Sequence, residues 1–359
     1  MNSSPGRRRL HVAAALDRRS VYDADAYVTA ARLAEHGALD FVTLGDSLAR
    51  PGPDALAVLS RLAPATRRIG LVPSVSTTHT EPFHVQAAVA TLDWVSRGRA
   101  GWRIEVSTTE GEARLFGRRH AAPADVLWRE AGEVAEVAAR LWDSWEDGAE
   151  IRDAATGRFV DPDKLHHVDF TGSAFSVKGP STVPRPPQGH PVRVVDATDP
   201  AARAVAARYA DVALVRTALP VRAAAARAEL RTSAGTHGRD PDDLRVLAAL
   251  DVDLGDGECA AEPGHGGGGP RATPHGPLYR GGPVDLAELI ISWHRDGIVD
   301  GFHFTPVDPR RDLERLVNGT VPLLQHRGLF RTFYPGSTLR DHLGLNRPAN
   351  QYAVARGAS

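Results

Sequence analysis

Short apolar segments alternate repeatedly with amphipathic ones along this chain. Eight segments have the length and composition of buried strands, and nearly all are followed by a segment with helical periodicity. The predicted strands span residues 10–16, 39–44, 68–76, 99–107, 191–195, 211–216, 244–254 and 301–304. Alternating strands and helices give a parallel sheet, and eight such units favour a closed barrel over an open sheet. The chain is therefore predicted to be an α/β protein with a (β/α)8 TIM barrel.

The fourth predicted strand has one apolar and one polar face. Its polar face carries Arg103, Glu105 and Ser107, spaced two residues apart. A strand buried on both faces is expected to be apolar throughout. This strand therefore lies either at a wet sheet edge or beside a functional site, and the barrel prediction favours the site.

Polar residues also follow the other predicted strands at their carboxyl ends, where the active sites of TIM barrels lie. These positions are Asp17, Asp46, Ser76 to Thr78, Arg103 to Ser107, Asp196 to Asp199, Thr217, Asp251 and Thr305. The sequence thus predicts a polar mouth at one end of the barrel, with Arg103 and Glu105 pointing into it.

Composition excludes several classes of protein. The formal net charge of −1 gives no basic field for nucleic acid or a membrane surface. Cys259 is the sole cysteine, so an internal disulfide and a cysteine zinc cage are both excluded. The sequence has no GxGxxG after its first strand and no P-loop, which argues against dinucleotide and NTP binding. We see no signal peptide and no run long enough to span a membrane, and we expect a cytoplasmic protein.

We expect a single domain over residues 1–359, with two irregular insertions and a tail. The first insertion covers about 146–190, and the second, about 255–284, is rich in glycine, proline and histidine. The second insertion is either a lid that excludes water or a disordered surface segment. The tail begins at about residue 328 and has few core-forming residues.

Several long motifs resemble those of the luciferase-like flavin monooxygenases. They are ATLDWVSRGRAGW, LWDSWEDGAEIRD, GRFVDPDKLHHVDFTGSAFSVKGPSTVPRPPQG and VPLLQHRGLFRTFYPGSTLRDHLGL. The most similar branch is that of the nitrilotriacetate, EDTA and dibenzothiophene-sulfone monooxygenases, over about residues 11–348. The resemblance implies a bacterial, two-component enzyme that uses reduced FMN (FMNH2), O2 and a separate NAD(P)H:flavin reductase. A flavin hydroperoxide would then oxidise a small organic substrate, and a homodimer or homotetramer is expected.

The resemblance assigns cofactor contacts to individual positions. Asp46 matches an acidic residue near the flavin ring, Thr77 the threonine of an STT loop, and Ser107 the serine that closes the fourth strand. Arg103 stands where the family has asparagine, and Trp128 where it has a tyrosine that reaches the phosphate.

The segment from Val195 to Ala202 replaces the family's phosphate-binding QAGxSxxG. Thr198 precedes Asp199, which stands at the family's serine, and Ala202 stands at the last glycine. Pro200 suits a first helical position, which makes Asp199 the predicted N-cap. These changes predict weak FMN binding.

The remaining site assignments have structural alternatives. His79 and His84 are candidate proton donors because histidine titrates near neutrality, but each is equally well a surface or a satisfied core residue. Arg103 either clamps an anion through its planar guanidinium or pairs with Glu105. Asp46 either contacts the flavin or caps a turn, and Trp128 either stacks on a ligand or fills the packing.

No metal site is predicted, because the adjacent histidines at 166 and 167 have no third ligand at helical spacing. Two functional alternatives to the monooxygenase remain open. One is an F420-dependent oxidoreductase, since related barrels use that cofactor. The other is a non-catalytic partner subunit with a degraded flavin site.

Overall fold

A computed structural model describes residues 9–17, 22–46, 48, 51–255 and 269–357 of the chain. Fourteen strands lie in these segments. They are β1 (His11–Ala15), β2 (Phe41–Leu44), β3 (Gly70–Ser76), β4 (Gly101–Glu105), β5 (Glu150–Asp153), β6 (Arg158–Val160), β7 (Phe170–Thr171), β8 (Ser176–Val177), β9 (Val192–Asp196), β10 (Val212–Val215), β11 (Arg245–Asp253), β12 (Arg271–Thr273), β13 (Gly276–Arg280) and β14 (Gly301–Pro306).

Twelve α-helices connect and flank these strands in the described segments. They are α1 (Ala24–His36), α2 (Ala55–Leu62), α3 (Pro82–Ser96), α4 (Glu110–Phe116), α5 (Ala124–Asp143), α6 (Pro200–Tyr209), α7 (Pro220–Thr236), α8 (Pro283–Arg295), α9 (Arg311–Arg315), α10 (Val321–His326), α11 (Leu339–Leu343) and α12 (Gln351–Gly357). A π-helical turn, Leu316–Thr320, joins α9 to α10.

The eight predicted strands form a closed parallel barrel. Their order is β10-β9-β4-β3-β2-β1-β14-β11, and the pairing of β10 with β11 closes the ring. The predicted (β/α)8 fold is therefore confirmed. β4 lies between β3 and β9, so it is not an edge strand.

The inside of the barrel is apolar in its lower half. Inward-facing side chains such as Val72, Val194, Leu214 and Ala249 pack into one buried cluster. Strand residues of the opposite parity face outward, where Trp102 and Ile104 pack against the surrounding helices. On each strand, the next inward-facing residue lies two positions nearer the carboxyl end, and there the polar residues of the upper half begin.

The C-terminal tail closes the bottom of this barrel. Leu339 and Leu343 of α11 are fully buried in the same cluster as the inward-facing strand residues. A Cβ added to Gly70 would lie 2.6 Å from Leu339, so the glycine makes room for that leucine at the start of β3. The tail, for which few core-forming residues are predicted, thus contributes Leu339 and Leu343 to the barrel core.

The tail is also held by charge. Arg340 donates to Asp211 at 2.9 Å and to the carbonyl of His190 at 2.8 Å, beneath the barrel. Burial works against ionisation of Asp211, but Arg340 and Arg193 together lower its pKa to about 2. The pair is therefore ionised over the whole physiological range.

The two insertions contain more structure than the sequence predicted. The first forms two short hairpins, β5–β6 and β7–β8. In the second, residues 256–268 lie outside the described residues, but β12 and β13 form a hairpin that extends β11. The expectation of an irregular segment is therefore wrong for residues 271–280. None of the helices that the structure describes combines the length and apolarity needed to cross a membrane.

Candidate active site

A layer of polar side chains lies inside the barrel at the carboxyl ends of its strands. We call this layer the barrel mouth. Its members are Thr43, Ser74, Arg103, Glu105, Asp196, Arg216, Asp251 and His303. Each occupies an inward-facing position in the two-residue alternation of its strand. The closed barrel therefore brings together residues that are distant in sequence.

Arg103 and Glu105 form an ion pair within β4. Arg103 Nε donates to Glu105 Oε1 at 2.7 Å, and its Nη2 donates to the same oxygen. Burial disfavours the charge on Arg103, but Glu105, Asp17 and Asp196 together raise its pKa. Of the two roles predicted for Arg103, the structure shows the pairing with Glu105. The guanidinium is a permanent cation surrounded by carboxylates.

A second ion pair lies across the mouth. Arg216 Nη2 donates to Asp251 Oδ1 at 3.3 Å. Burial raises the pKa of Asp251, against the effect of Arg216. The β12–β13 hairpin packs over this arginine, since a Cβ added to Gly276 would lie 2.8 Å from Arg216 Nη2.

His303 of β14 is the deepest titratable group of the mouth. Its side chain is 2% exposed, and its Nε2 lies 2.9 Å from Thr43 Oγ1. Burial, together with the positive charges of Arg103 and Arg216, lowers its pKa to about 3. The imidazole is therefore neutral at physiological pH.

Two buried polar atoms of the mouth have no hydrogen-bond partner among the described residues. They are His303 Nδ1 and Ser74 Oγ. Buried polar groups in folded proteins are almost always paired, so such atoms in one lumen indicate that a bound ligand or water supplies the partner. Sequence reasoning missed His303, whose signal is its place two residues before Thr305 in an otherwise apolar strand.

Asp46 follows β2 at the rim of the mouth. Its Oδ2 accepts a long hydrogen bond from the amide of Ala55, at 3.4 Å. The N-cap of α2 is Asp54, which accepts from Ala57 N at 2.6 Å. Burial raises the pKa of Asp46, and the charges of Asp54 and Glu105 add to this effect. The influence of Glu105 places Asp46 close to the mouth.

Thr77 and Ser107 tie together the loops that follow β3 and β4. Thr77 Oγ1 donates to the carbonyl of Glu105 at 3.1 Å. Ser107 Oγ donates to Glu112 Oε2 at 2.8 Å, and its amide donates to Thr78 Oγ1 at 2.8 Å. Both predicted cofactor contacts thus have hydroxyls that are engaged within the protein.

The two predicted proton donors lie in different surroundings. His79 is buried and stacks on Phe116, with ring centroids 4.5 Å apart and planes 12° apart. Burial and the nearby Arg119 lower its pKa, and neither ring nitrogen has a partner among the described residues. His84 is exposed on α3 and touches Phe83 edge to face. The structure shows no direct contact between either ring and the barrel mouth.

The residues predicted to contact the flavin phosphate, Trp128, Thr198 and Asp199, are packed or hydrogen-bonded within the protein. Trp128 of α5 is buried in the apolar cluster between the barrel and its outer helices. Thr198 Oγ1 donates to Asp196 Oδ1 at 2.6 Å and accepts the amide of Arg216 at 3.0 Å. Asp199 is the N-cap of α6 and accepts from Ala201 N at 2.7 Å, as predicted.

These contacts test whether a flavin would fit. At the ring end, the unpartnered atoms of Ser74 and His303 suit a ligand with polar edges. At the aligned phosphate segment, a carboxylate holds a donor, because Asp199 accepts from the first turn of α6. A phosphate dianion would therefore need donors from elsewhere in the chain.

Comparison with known proteins connects this geometry to a family. The profile of the luciferase-like monooxygenases matches residues 8–273. This chain belongs to the luciferase-like monooxygenase family. It is accordingly an oxidoreductase, and its barrel mouth occupies the position expected for the active site of the fold.

Individual relatives cover nearly all of this luciferase-like monooxygenase. It is 31% identical to N-acetyl-S-(2-succino)cysteine monooxygenase of Bacillus subtilis (strain 168), over 92% of this chain and 91% of that protein. It is also 31% identical to nitrilotriacetate monooxygenase component A of Aminobacter aminovorans, over 92% of each chain.

The fold is shared with solved structures. The EDTA monooxygenase of Chelativorans sp. BNC1 superimposes with a TM-score of 0.83 at 23% identity, covering 95% of this chain and 99% of that one. Within the part of this luciferase-like monooxygenase that the structure describes, no group of three or more His, Cys, Asp or Glu side chains is arranged to hold a metal.

Proposed function

We propose that this chain is the oxygenase component of a two-component flavin monooxygenase. It would use reduced FMN from a separate NAD(P)H:flavin reductase, together with O2, to oxidise a small organic molecule. The observation that carries the proposal is the buried mouth, in which Ser74 Oγ and His303 Nδ1 lack partners inside a fold of this family. The name of the nitrilotriacetate relative, component A, supports a divided enzyme.

Reduced flavin, when bound, supplies the electrons that activate O2. The protein's own part is to bind, orient and exclude water. Ser74 and His303 would hydrogen-bond the polar edge of the ligand, and the low pKa of His303 keeps its imidazole neutral in this role. The two ion pairs give each arginine of the mouth a carboxyl partner, Glu105 for Arg103 and Asp251 for Arg216.

Asp46 is the residue best placed to hold a proton at the rim. Burial raises the pKa of its carboxyl group, and the charges of Asp54 and Glu105 act in the same direction. We infer that Asp46, rather than the exposed His84, is the acid or base at the rim of the mouth. His79 remains a candidate only if its ring leaves its stack on Phe116.

The experiment that tests the function is an anaerobic titration followed by exposure to air. Purified protein is titrated with reduced FMN, oxidised FMN and reduced F420, and binding is followed by fluorescence and absorbance. We expect reduced FMN to bind more tightly than oxidised FMN, and oxygen uptake with a separate reductase to require the protein. Binding of F420 alone would favour the F420-dependent alternative, and binding of neither would favour a non-catalytic partner subunit.

Association into a homodimer or homotetramer stays a prediction. Light scattering of the purified protein, with and without the reductase, measures it directly.

A further inference from the structure

An ion pair joins α5 to the loop that precedes it. Arg119 lies in the loop between α4 and α5, and Glu130 is a residue of α5 that is only 8% exposed. Arg119 Nη1 donates to Glu130 Oε2 at 2.7 Å, and Nη2 donates to Oε1 at 2.8 Å. Two parallel contacts of this kind fix the orientation of a guanidinium as well as its distance. We call this pair the α5 clamp.

The α5 clamp also binds the backbone of the loop that follows β3. Arg119 Nη2 donates to the carbonyl oxygen of Thr78 in addition to Glu130. Because Glu130 fixes the guanidinium on α5, this carbonyl is tied to a helix of 20 residues and not to its own loop alone. The clamp therefore sets the position of the chain at Thr78.

Thr78 connects two residues to which the family resemblance assigns cofactor contacts. Its Oγ1 accepts the amide of Ser107 at 2.8 Å. Its neighbour Thr77 is bound to the carbonyl of Glu105 by its amide, at 2.9 Å, and by its hydroxyl, at 3.1 Å. A displacement of Thr78 would therefore disturb both assigned contacts at once.

An aromatic stack restrains the same loop independently. His79 follows Thr78 and stacks on Phe116 of α4, with ring centroids 4.5 Å apart. The start of α4 is bound to the loop after β4, because Glu112 Oε2 accepts the hydroxyl of Ser107 at 2.8 Å. The stack holds a side chain, whereas the α5 clamp holds a backbone carbonyl, so variants of the clamp leave the stack in place.

We propose that Arg119 is a positioning residue for the bound flavin, acting through Thr78 on the contacts at Thr77 and Ser107. The inference rests on the proposed function. Its ground is that one guanidinium joins a buried carboxylate to the backbone between two assigned contacts. In this role Arg119 does not touch the cofactor, and its effect is on the geometry of the groups that do.

The first measurement is an anaerobic titration with reduced FMN, at a temperature at which every variant is folded. Misplacement of contacts by about 1 Å can cost up to about a hundredfold, so we expect Arg119→Gln to weaken binding at least about tenfold. Arg119→Lys keeps the charge without the planar fork and should lose less. At saturating flavin, the visible circular dichroism, which reports the orientation of the bound ring, should differ between wild type and Arg119→Gln.

The matched control is Arg140→Gln on the same helix. Arg140 pairs with Glu136 at 2.8 Å, and its side chain is 39% exposed against 34% for Arg119. It lies over the ring of Phe170 in the first insertion, away from the loop after β3. Flavin affinity in Arg140→Gln should therefore equal that of the wild type.

A double-mutant cycle tests whether the effect passes through the α5 clamp. Glu130→Gln should also weaken reduced FMN binding, and the double variant Arg119→Gln/Glu130→Gln should lose about as much as Arg119→Gln alone. If Arg119→Gln does not fold, Glu130→Gln and Arg119→Lys carry the same comparison, because both keep a hydrogen-bonding partner in the clamp.

Thermal unfolding of the same variants separates positioning from stability. A merely structural pair would lower the unfolding temperature and leave the flavin affinity and dichroism of the folded protein unchanged, and that result would overturn the proposal. Additive losses in the cycle, or an equal loss in Arg140→Gln, would overturn it too. Failure of the wild type to bind reduced FMN would instead overturn the proposed function.

Discussion

The imidazole of His303 and the hydroxyl of Thr43 meet inside the barrel, with Nε2 2.9 Å from Oγ1. The contact joins β14 to β2 past the intervening β1. It leaves Nδ1 as the free edge of a neutral ring between two arginines. Because this buried histidine stays neutral in the folded protein, the free energy of unfolding depends on pH.

The first prediction concerns that response. The pKa of His303 is about 3 in the folded protein and near its ordinary value of 6.5 in the unfolded chain. Below about pH 6.5 the unfolded state takes up a proton that the folded state refuses, so stability falls as the pH drops toward 3. For one group the slope is at most about 1.4 kcal/mol per pH unit. His303→Asn should therefore show a shallower loss of stability between pH 7 and pH 5.

The measurement is denaturant unfolding of wild type and variant at several pH values. His84→Asn is the control, because His84 is exposed, and it should follow the wild-type pH dependence. Parallel curves for His303→Asn and wild type would show that the folded state takes up a proton at His303 as readily as the unfolded chain does.

The second prediction concerns Asp199. Its carboxylate occupies an amide of the first turn of α6 and would repel a phosphate nearby. Two unit charges at about 4 Å interact by roughly 4 kcal/mol at an effective dielectric of 20. Even a fraction of this repulsion exceeds the ~1.4 kcal/mol of a tenfold change. We expect Asp199→Ser to tighten FMN binding at least about tenfold with little change in stability, because serine is also a good N-cap.

Calorimetric titration at one ionic strength checks this expectation. Asp240→Ser is a suitable control, since Asp240 caps a short 3-10 turn that follows α7 on the way into β11, at the opposite end of the barrel. Unchanged or weaker FMN binding by Asp199→Ser would place the phosphate away from the start of α6.

The third prediction concerns Gly276 in the β12–β13 hairpin. Its φ of 130° is a conformation that L residues rarely adopt, and a Cβ there would lie 2.8 Å from Arg216 Nη2. Gly276→Ala should cost about 1–3 kcal/mol of folding free energy from backbone strain. It should also displace Arg216 and weaken FMN binding. Gly157→Ala is the control: φ is again positive, at 68°, but no atom lies within 4 Å of the new Cβ. If the two variants bind FMN equally well, the hairpin does not position Arg216.

The fourth prediction concerns the tail. Leu339 is fully buried at the base of the barrel, so Leu339→Ala should lower the free energy of unfolding by about 2–5 kcal/mol. Val354→Ala removes an exposed side chain of α12 and should change it by less than about 0.5 kcal/mol. Thermal and denaturant unfolding of the two variants make the comparison. Similar small losses for both would show that the tail is not part of the cooperative core.

Local signals explain how much the sequence predicted. Seven of the eight barrel strands are apolar runs in the sequence, and Pro200 marks Asp199 as an N-cap. The eighth, β4, shows a two-residue alternation, and its polar face indicates the barrel mouth. These features depend on neighbours within a few residues.

The features that the sequence did not predict depend on contacts between distant parts of the chain. The pairing of Arg216 with Asp251 and the burial of His303 arise only when the barrel closes. The leucines of α11 lie in a largely polar stretch, and Leu339 occupies the space left by Gly70 and Gly101. The β12–β13 hairpin was hidden by a glycine-rich composition that usually accompanies loops.

The closure of the barrel bottom by α11 has a consequence for the order of folding events. Leu339 and Leu343 complete the apolar interior that all eight strands enclose. While the ribosome still holds these residues, a nascent barrel would have its lower end open to water. A dry interior therefore forms only once α11 has docked, and a folding intermediate that lacks this contact would expose apolar strand residues to water.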